Sequence, residues 1–246
     1  MKPEIGLQLY SIRGKCEEDF ENVLKMVSSA GYDGVEFYSF FDIEAGKMKQ
    51  LLGKYNLKTM GTHTNKDVLA NDLDGLIKYL DTIGGRLAAL AIYDSEDTDG
   101  WLRLAENMDK WGGRLGREGI KFMYHNHAHE FVPKFDGEMA EDILLKNTSP
   151  ENVSLELDCY WVTHAGLNPE EYLSKNISRV KAIHIKDMKD NIHKKMTEVG
   201  TGIINCGKLY DMAGQAGFDW VAIEQDEIFI DPFESIKISV NNLRKY

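Results

Sequence analysis

The chain has 246 residues, 28% of them charged, and a formal net charge of −11 at pH 7. This length suits one α/β domain and is enough to bury a large core without disulfides. The acidic balance argues against binding to a nucleic-acid backbone, which needs clustered lysines and arginines. Three cysteines without a CxxC pair predict reduced thiols in a cytoplasmic protein. The sequence has no apolar signal stretch and no membrane span, so we expect no membrane contact.

Along the chain, short runs rich in aliphatic residues alternate with stretches that have helical spacing. In the first helical stretch, Val23, Leu24 and Val27 recur at that spacing, and Gly31 is a typical helix end. Pro169 suits the first turn of a later helix. The predicted strands are residues 5–10, 34–37, 57–63, 87–93, 120–127, 153–158, 180–186 and 220–225. The predicted helices are residues 20–30, 45–55, 73–83, 101–117, 142–147, 169–175, 208–216 and 233–243.

About eight strand–helix repeats predict an α/β fold, a (β/α)₈ TIM barrel that forms one domain over residues 1–246. Two similar phrases, residues 30–37 and 216–224, support this interpretation, because each is a helix end, a glycine turn and a strand that carries a Glu. A doubly wound open sheet uses the same units. No GxGxxG follows the first strand, which argues against the dinucleotide-binding form of that sheet.

Polar side chains end several of the predicted strands. His125, His127 and His129 alternate at the end of the fifth strand, so they are expected on one face. Asp158 ends the sixth strand and is either a metal ligand or a helix N-cap. His184 lies in the seventh strand and is either a ligand or a core residue, and Glu224 ends the eighth. Because a barrel directs all strand ends to one mouth, these residues predict a site for one divalent metal ion.

Further residues are predicted to line the same mouth. Glu36 and His63 end the second and third strands, although Glu36 is equally a structural acid. Lys186 shares the strand face of His184, and Trp161 is a possible apolar wall against a sugar ring or a core residue. Asp187 is a candidate to orient the His184 ring.

The sequence resembles the xylose isomerase-like TIM barrel superfamily, whose members are often called sugar phosphate isomerases/epimerases, over nearly its whole length. In that superfamily a Glu–Asp–His–Glu set usually binds one divalent ion, and two of the carboxylates can transfer protons. The resemblance rests on residues 6–11, 34–36, 125–127, 130–131, 157–158, 184–187, 200–202 and 224–226.

The resemblance implies that Asp158, His184 and Glu224 are metal ligands. Related hexulose epimerases have a Glu at the end of the fifth strand, where this chain has His125. The fourth ligand is therefore predicted to be Glu130, with His125 as the rival. His127, Glu224 and Glu130 are the implied proton-transfer residues, and His125 otherwise contacts substrate. Mn²⁺, Mg²⁺, Co²⁺ and Zn²⁺ all suit such a set.

The main functional hypothesis is a metal-dependent isomerase or epimerase that removes a proton beside a metal-bound carbonyl of a sugar, keto-sugar or cyclitol. The alternative is a lyase of the same family, such as an inosose dehydratase or an enzyme of β-elimination from 3-keto-glycosides. A DNA-repair endonuclease and a metal-free binding barrel are less consistent with the acidic charge and the polar strand ends. The expected partner is a small, unphosphorylated carbohydrate, with a possible homo-oligomer and neither nucleic acid nor membrane.

Overall fold

Eight parallel strands form a closed ring in the computed structural model, which describes residues 2–246. Each strand pairs with its sequence neighbours, and β8 pairs with β1 to close the ring. The predicted single-domain TIM barrel is therefore confirmed. The strands are β1 (Glu4–Gln8), β2 (Gly34–Phe37), β3 (Lys58–Thr64), β4 (Leu87–Leu90), β5 (Lys121–His125), β6 (Val153–Asp158), β7 (Val180–Ile185) and β8 (Trp220–Ile223).

Helices follow the strands and cover the outside of the ring. As predicted, Gly31 ends its helix in a left-handed conformation (φ 102°), and Pro169 begins another, which Asn168 caps. Among the described residues, no helix is both long and apolar enough to cross a membrane. The helices are α1 (Arg13–Glu18), α2 (Phe20–Ala30), α3 (Ala45–Lys54), α4 (Lys66–Asn71), α5 (Leu73–Ile83), α6 (Thr98–Gly116), α7 (Ala140–Lys146), α8 (Cys159–His164), α9 (Pro169–Asn176), α10 (Cys206–Ala216) and α11 (Pro232–Leu243).

Several βα connections contain structure that the hydrophobic pattern did not predict. The first strand ends at Gln8, and Leu9–Ile12 forms a 3₁₀ helix before α1. The fifth strand ends at His125 and not at residue 127. Helices α1, α4 and α8 were not predicted, because each has only six residues. Two short hairpins, 134–139 and 187–197, occupy predicted loops.

The bottom of the barrel interior is apolar. Gly34 allows the Trp220 ring to fill it, because a Cβ on Gly34 would lie 2.7 Å from that ring. Two small residues belong to the same cluster: Ala182 pairs with Trp220, and Ala222 lies two residues further along the strand of Trp220. The interior becomes polar above it. The buried apolar layer consists of Met60, Leu87, Ala89, Met123, Ala182, Trp220 and Ala222.

Two register irregularities decide which side chains face the interior above this layer. In the β2–β3 pairing, Val35 faces Thr59 while Glu36 faces Gly61, so β3 contains one extra residue. In the β6–β7 pairing, Leu155 faces Val180 while Glu156 faces Ala182. A bulge moves the following side chains to the other face of a strand. This explains why His63 and Met60 both lie inside the barrel although they are three residues apart.

Candidate active site

Four buried side chains converge at the carboxyl end of the barrel. One potential ligand atom from each of His125, Asp158, His184 and Glu224 lies within 4.8 Å of those of the other three. Strand register explains the convergence, because Asp158 pairs with His184 and Glu224 follows two residues after the partner of His184 on β8. The structure thus brings the predicted ligands Asp158, His184 and Glu224 together. The fourth member of the group is His125.

A second acidic layer lies directly beneath this group and holds its two imidazole rings. His184 has Nδ1 2.8 Å from Glu224 Oε2 and Nε2 2.7 Å from Glu36 Oε2. His125 has Nδ1 3.1 Å from Glu156 Oε2 and Nε2 3.6 Å from Asp158 Oδ2. When the lower nitrogen of each ring donates to its glutamate, the upper nitrogen is left free for a metal ion. Glu36 and Glu156 therefore orient the rings and increase their basicity.

The charge of the lower layer resides on Glu156. Burial alone would raise its pKa, but the His184 and His63 rings hold the pKa of Glu156 well below its usual value. Burial and the neighbouring Glu156 charge raise the pKa of Glu36. Burial and the nearby His184 charge lower the pKa of His125 well below 6.5, so this ring is neutral. A neutral imidazole is the form that binds a metal ion.

Another set of donors, His63, His125, Glu156 and His184, lies close enough together to hold an ion. In this lower set, however, His63 Nε2 lies 2.7 Å from Glu156 Oε2 and the other rings also bond the glutamates, so the nitrogens are already engaged. The upper group offers two carboxylates instead. Asp158 Oδ2 is buried there and accepts no hydrogen bond of good geometry. The upper group therefore fits a divalent ion better.

The upper donor set is mixed. Two carboxylates and two neutral imidazoles suit Mn²⁺, Co²⁺ or Zn²⁺ better than Mg²⁺, which prefers oxygen. The two negative charges would balance those of the ion.

Lys186 is the cation of this site. Its Nζ lies 2.7 Å from Glu224 Oε2, 3.0 Å from Asp158 Oδ2 and 3.1 Å from Asp226 Oδ1. Although burial disfavours an ammonium, Asp158 and Glu224 raise the pKa of Lys186 well above its usual value. Burial raises the pKa of Asp226 to about 6. Both groups are therefore charged above neutral pH. The Lys186 Nζ also lies 5.9 Å from the ring centre of Trp161.

A cavity of about 410 Å³ opens above these groups. This volume suits one small ligand. Tyr10 and Tyr38 form an edge-to-face pair, with ring centres 5.4 Å apart, on one wall. The cavity is lined by Tyr10, Tyr38, His63, Thr64, Asn65, Ala91, Ile92, His125, His127, Lys186, Glu224 and Asp226.

His127 is an unpartnered base at the wall of this cavity. Its Nδ1 is buried and makes no hydrogen bond. Burial and the positive charge of Lys186 lower the pKa of His127 to about 3, so the ring is neutral. Trp161 packs against it, with ring centres 5.4 Å apart. The backbone N–H of His127 donates to Glu130 Oε2 at 2.8 Å, which fixes the turn after β5.

Four placements differ from the sequence predictions, and two of them lie just after β5. Glu130 lies outside both donor groups, because the chain turns after His125 and its carboxylate accepts from the Tyr124 hydroxyl at 2.7 Å and the His127 N–H. His129 does not share a face with His125, because the strand has ended, and its Nε2 bonds the Tyr93 carbonyl.

Glu36 does not line the cavity. It is fully buried and bonds Gln8 and His184, so it is not placed to contact substrate. Asp187 does not orient His184, because its carboxylate bonds the backbone of the following loop.

Sequence reasoning missed Asp226, Tyr10 and Tyr38 as site residues. Each follows the end of a strand by one to three residues. Their position just past a strand end is the signal that would have identified them, because such residues reach over the barrel mouth.

Comparison with known proteins gives consistent matches. The sequence model described as "Xylose isomerase-like TIM barrel" matches residues 24–246. An inosose dehydratase from Lacticaseibacillus casei is 24% identical, and the alignment covers 89% of this chain and 86% of that protein. A sugar phosphate isomerase/epimerase from Parabacteroides distasonis has a TM-score of 0.84 with 22% identity, over 99% of this chain and 98% of that one. An IOLI protein solved with a bound zinc atom has a TM-score of 0.74 with 16% identity, over 99% of each chain.

Proposed function

Because the chain belongs to the xylose isomerase-like TIM barrel family, we propose that it is a metal-dependent lyase that removes water from a keto-cyclitol or keto-sugar. The dehydratase names of the sequence relatives support this reaction class over the isomerase hypothesis. The observation that carries it is the His127 imidazole, a neutral base beside the proposed metal ligands whose Nδ1 has no other partner.

The residues suit an elimination. A divalent ion held by His125, Asp158, His184 and Glu224 would supply a Lewis acid for a ketone oxygen. The His127 imidazole, which lines the cavity, takes the proton from the carbon next to the ketone. The electrons of that C–H bond form the new C=C bond, and the hydroxyl on the following carbon leaves. His127 returns its proton to this hydroxyl, so that water is released and the ring is neutral again.

The low pKa of His127 suits the second of these steps, the return of the proton. A value of about 3 means that the protonated ring gives up its proton readily to a departing hydroxyl. Glu224 is less suited to this role, since its carboxylate already bonds His184 and Lys186. The Lys186 ammonium is placed to stabilise negative charge that develops on the substrate.

The cavity favours a neutral polyol. Among the described residues that line it, Lys186 is the one lysine or arginine, and its charge is paired with three carboxylates. A phosphate group would therefore meet more negative than positive charge.

The isomerase or epimerase reaction remains the second candidate, because it begins with the same proton removal. Epimerisation also needs a proton donor on the opposite face of the substrate. The position at the end of β5 that carries a Glu in the resembling epimerases holds His125, whose nitrogens face Glu156 and Asp158. This arrangement favours the lyase.

Product mass distinguishes the reactions. Zn²⁺- or Mn²⁺-loaded protein is incubated with inososes, ketoses and 3-keto-glycosides, and products are analysed by mass spectrometry, with Asp158→Asn as the inactive control. We expect a product lighter by one water. A product of unchanged mass supports the isomerase, and cleavage into two fragments supports glycoside elimination. No turnover of any ketone by metal-loaded protein refutes the proposal.

A further inference from the structure

Lys186 contacts two carboxylates of the group that fits a divalent ion. The Lys186 Nζ lies 3.0 Å from Asp158 Oδ2 and 2.7 Å from Glu224 Oε2, and both carboxylates belong to the donor group that fits a metal ion. An ammonium at these distances is in direct contact with both carboxylates and repels a second cation that approaches them. The two cations therefore cannot both hold these oxygens as Lys186 does here.

A third carboxylate gives the lysine another anchor. Both oxygens of Asp226 lie near the Lys186 Nζ, at 3.1 and 3.3 Å. Asp226 is not in either donor group. Its backbone is fixed by Arg13, which donates to the Asp226 carbonyl, and by the Met196 sulfur, which accepts from its N–H. Asp226 would therefore remain as a partner of Lys186 when Asp158 and Glu224 bind an ion.

The balance of charges supports a site in which the ion and Lys186 are both present and bind different carboxylates. In the loaded site, Asp158, Glu224 and Asp226 carry three negative charges, and both histidine rings bind the ion in their neutral form. A divalent ion together with Lys186 balances these three charges, whereas an ion that expelled Lys186 from the site would not. Uncompensated buried charge is costly, so both cations are expected in the loaded site.

We propose that Lys186 is a competing cation of the metal site and that Asp226 is its docking residue when the ion is bound. Lys186 occupies the Asp158 and Glu224 oxygens before the ion binds and pairs with Asp226 afterwards. Lys186 thus sets the affinity for the ion and ends beside it, at the wall of the cavity. This inference rests on the metal dependence of the proposed function but concerns binding rather than turnover.

Metal affinity of matched variants tests the proposal. Zn²⁺ dissociation constants are measured at pH 8 by competition with a chromophoric chelator for the wild type, Lys186→Met, Asp226→Asn and the double variant. Lys181→Met, at the far end of the same strand, is the control. We expect Lys186→Met to bind Zn²⁺ about tenfold or more tightly and Asp226→Asn about tenfold more weakly. In the Lys186→Met background, Asp226→Asn should change affinity by about twofold or less, because its role depends on the lysine.

Thermal unfolding gives an independent readout. Without Zn²⁺, Lys186→Met should unfold at a lower temperature than the wild type, and Zn²⁺ should raise its unfolding temperature more than that of the wild type. Lys186→Gln, which keeps a donor but not the charge, should give the same signs if Lys186→Met does not fold.

Three results would overturn the inference. If Lys186→Met binds Zn²⁺ no more tightly than the wild type, Lys186 does not compete with the ion. If Asp226→Asn changes the Zn²⁺ affinity equally in the wild-type and Lys186→Met backgrounds, Asp226 acts on the ion by its charge and not through Lys186. If none of the proteins, wild type included, binds Zn²⁺, the cofactor assignment fails together with this inference, whereas the first two results leave the proposed function intact.

Discussion

Asp187 is expected to be the main support of the loop after β7, and its replacement by Asn tests this directly. Asp187 Oδ1 accepts from the Met188 and Ile204 N–H groups at 2.8 and 3.0 Å. Its Oδ2 accepts from the Gly200 and Gly202 N–H groups at 3.0 and 2.8 Å. One carboxylate thus holds four backbone donors that lie up to 17 residues away. The donors surround it closely, since a Cβ on Gly202 would lie 2.4 Å from Asp187 Oδ1.

The magnitude follows from these contacts. Asp187→Asn keeps one carbonyl oxygen, but its NH₂ group then faces two N–H donors that have no acceptor. A hydrogen bond to a charged group contributes about 1.5–3 kcal/mol, so two lost bonds correspond to roughly 3–6 kcal/mol. Opening of the loop to water would reduce this cost. We therefore expect a decrease in the free energy of unfolding near the lower value, about 3 kcal/mol.

Urea unfolding measures this decrease, and hydrogen exchange locates it. The control is Asp190→Asn in the same loop, where the exposed carboxylate accepts from the Ile192 and His193 N–H groups. Exchange should accelerate at Gly200, Gly202 and Ile204 in Asp187→Asn only. A loss of stability below about 1 kcal/mol, or one equal to that of the control, would refute the reasoning.

Four other variants test the site and the core. His125→Ala should abolish stoichiometric Zn²⁺ binding, while Glu130→Gln should retain it; the reverse result, measured by metal analysis after dialysis, would restore Glu130 as the ligand. Glu36→Gln should weaken Zn²⁺ binding about 10–100-fold without unfolding, because Glu36 orients the His184 ring; unchanged affinity in a chelator competition argues against that role. Burial raises the pKa of Glu141 well above its usual value, and neither of its oxygens has a hydrogen-bond partner. The folded state therefore holds a proton that the unfolded state releases, so wild-type stability falls as pH rises above the unfolded pKa. The free energy of unfolding of Glu141→Gln, relative to that of the wild type, should increase by up to about 1.4 kcal/mol per pH unit between about pH 5 and the folded-state pKa of Glu141. Near about pH 4 it should show no such gain. Denaturation experiments across this pH range that show a constant stability difference between the two proteins would contradict this prediction.

The barrel and three residues of the upper group could be predicted from the sequence for the same reason. Asp158, His184 and Glu224 each stand where an apolar strand stops, and parallel strands in a closed ring stop at one end. Their convergence therefore follows once the strands are recognised. Their partners within the barrel follow only from register, which a single sequence does not reveal.

His125 and Asp226 illustrate what the pattern could not give. The choice between His125 and Glu130 depended on where β5 ends, and hydrophobic periodicity does not locate a strand end to one residue. His63 was expected at the mouth and lines the cavity, but the bulge in β3 that turns it inward has no distinctive sequence. Asp226 lies beyond the strand in a bend, and only the side chain of Lys186 identifies its role.

The arrangement of the interior couples metal binding to the support of the rings. Inward residues on a strand are two positions apart, so each strand contributes to successive levels. β6 supplies Glu156 to the lower acidic layer and Asp158 to the upper one, and β7 supplies His184 and then Lys186. An ion that binds at the upper level draws on His125 and His184, whose other nitrogens are bonded to Glu156 and Glu36. The charge of Glu156 and the hydrogen bond between Glu36 and His184 therefore act on the ion through the rings, which makes the lower layer part of the metal chemistry although it does not touch the cavity.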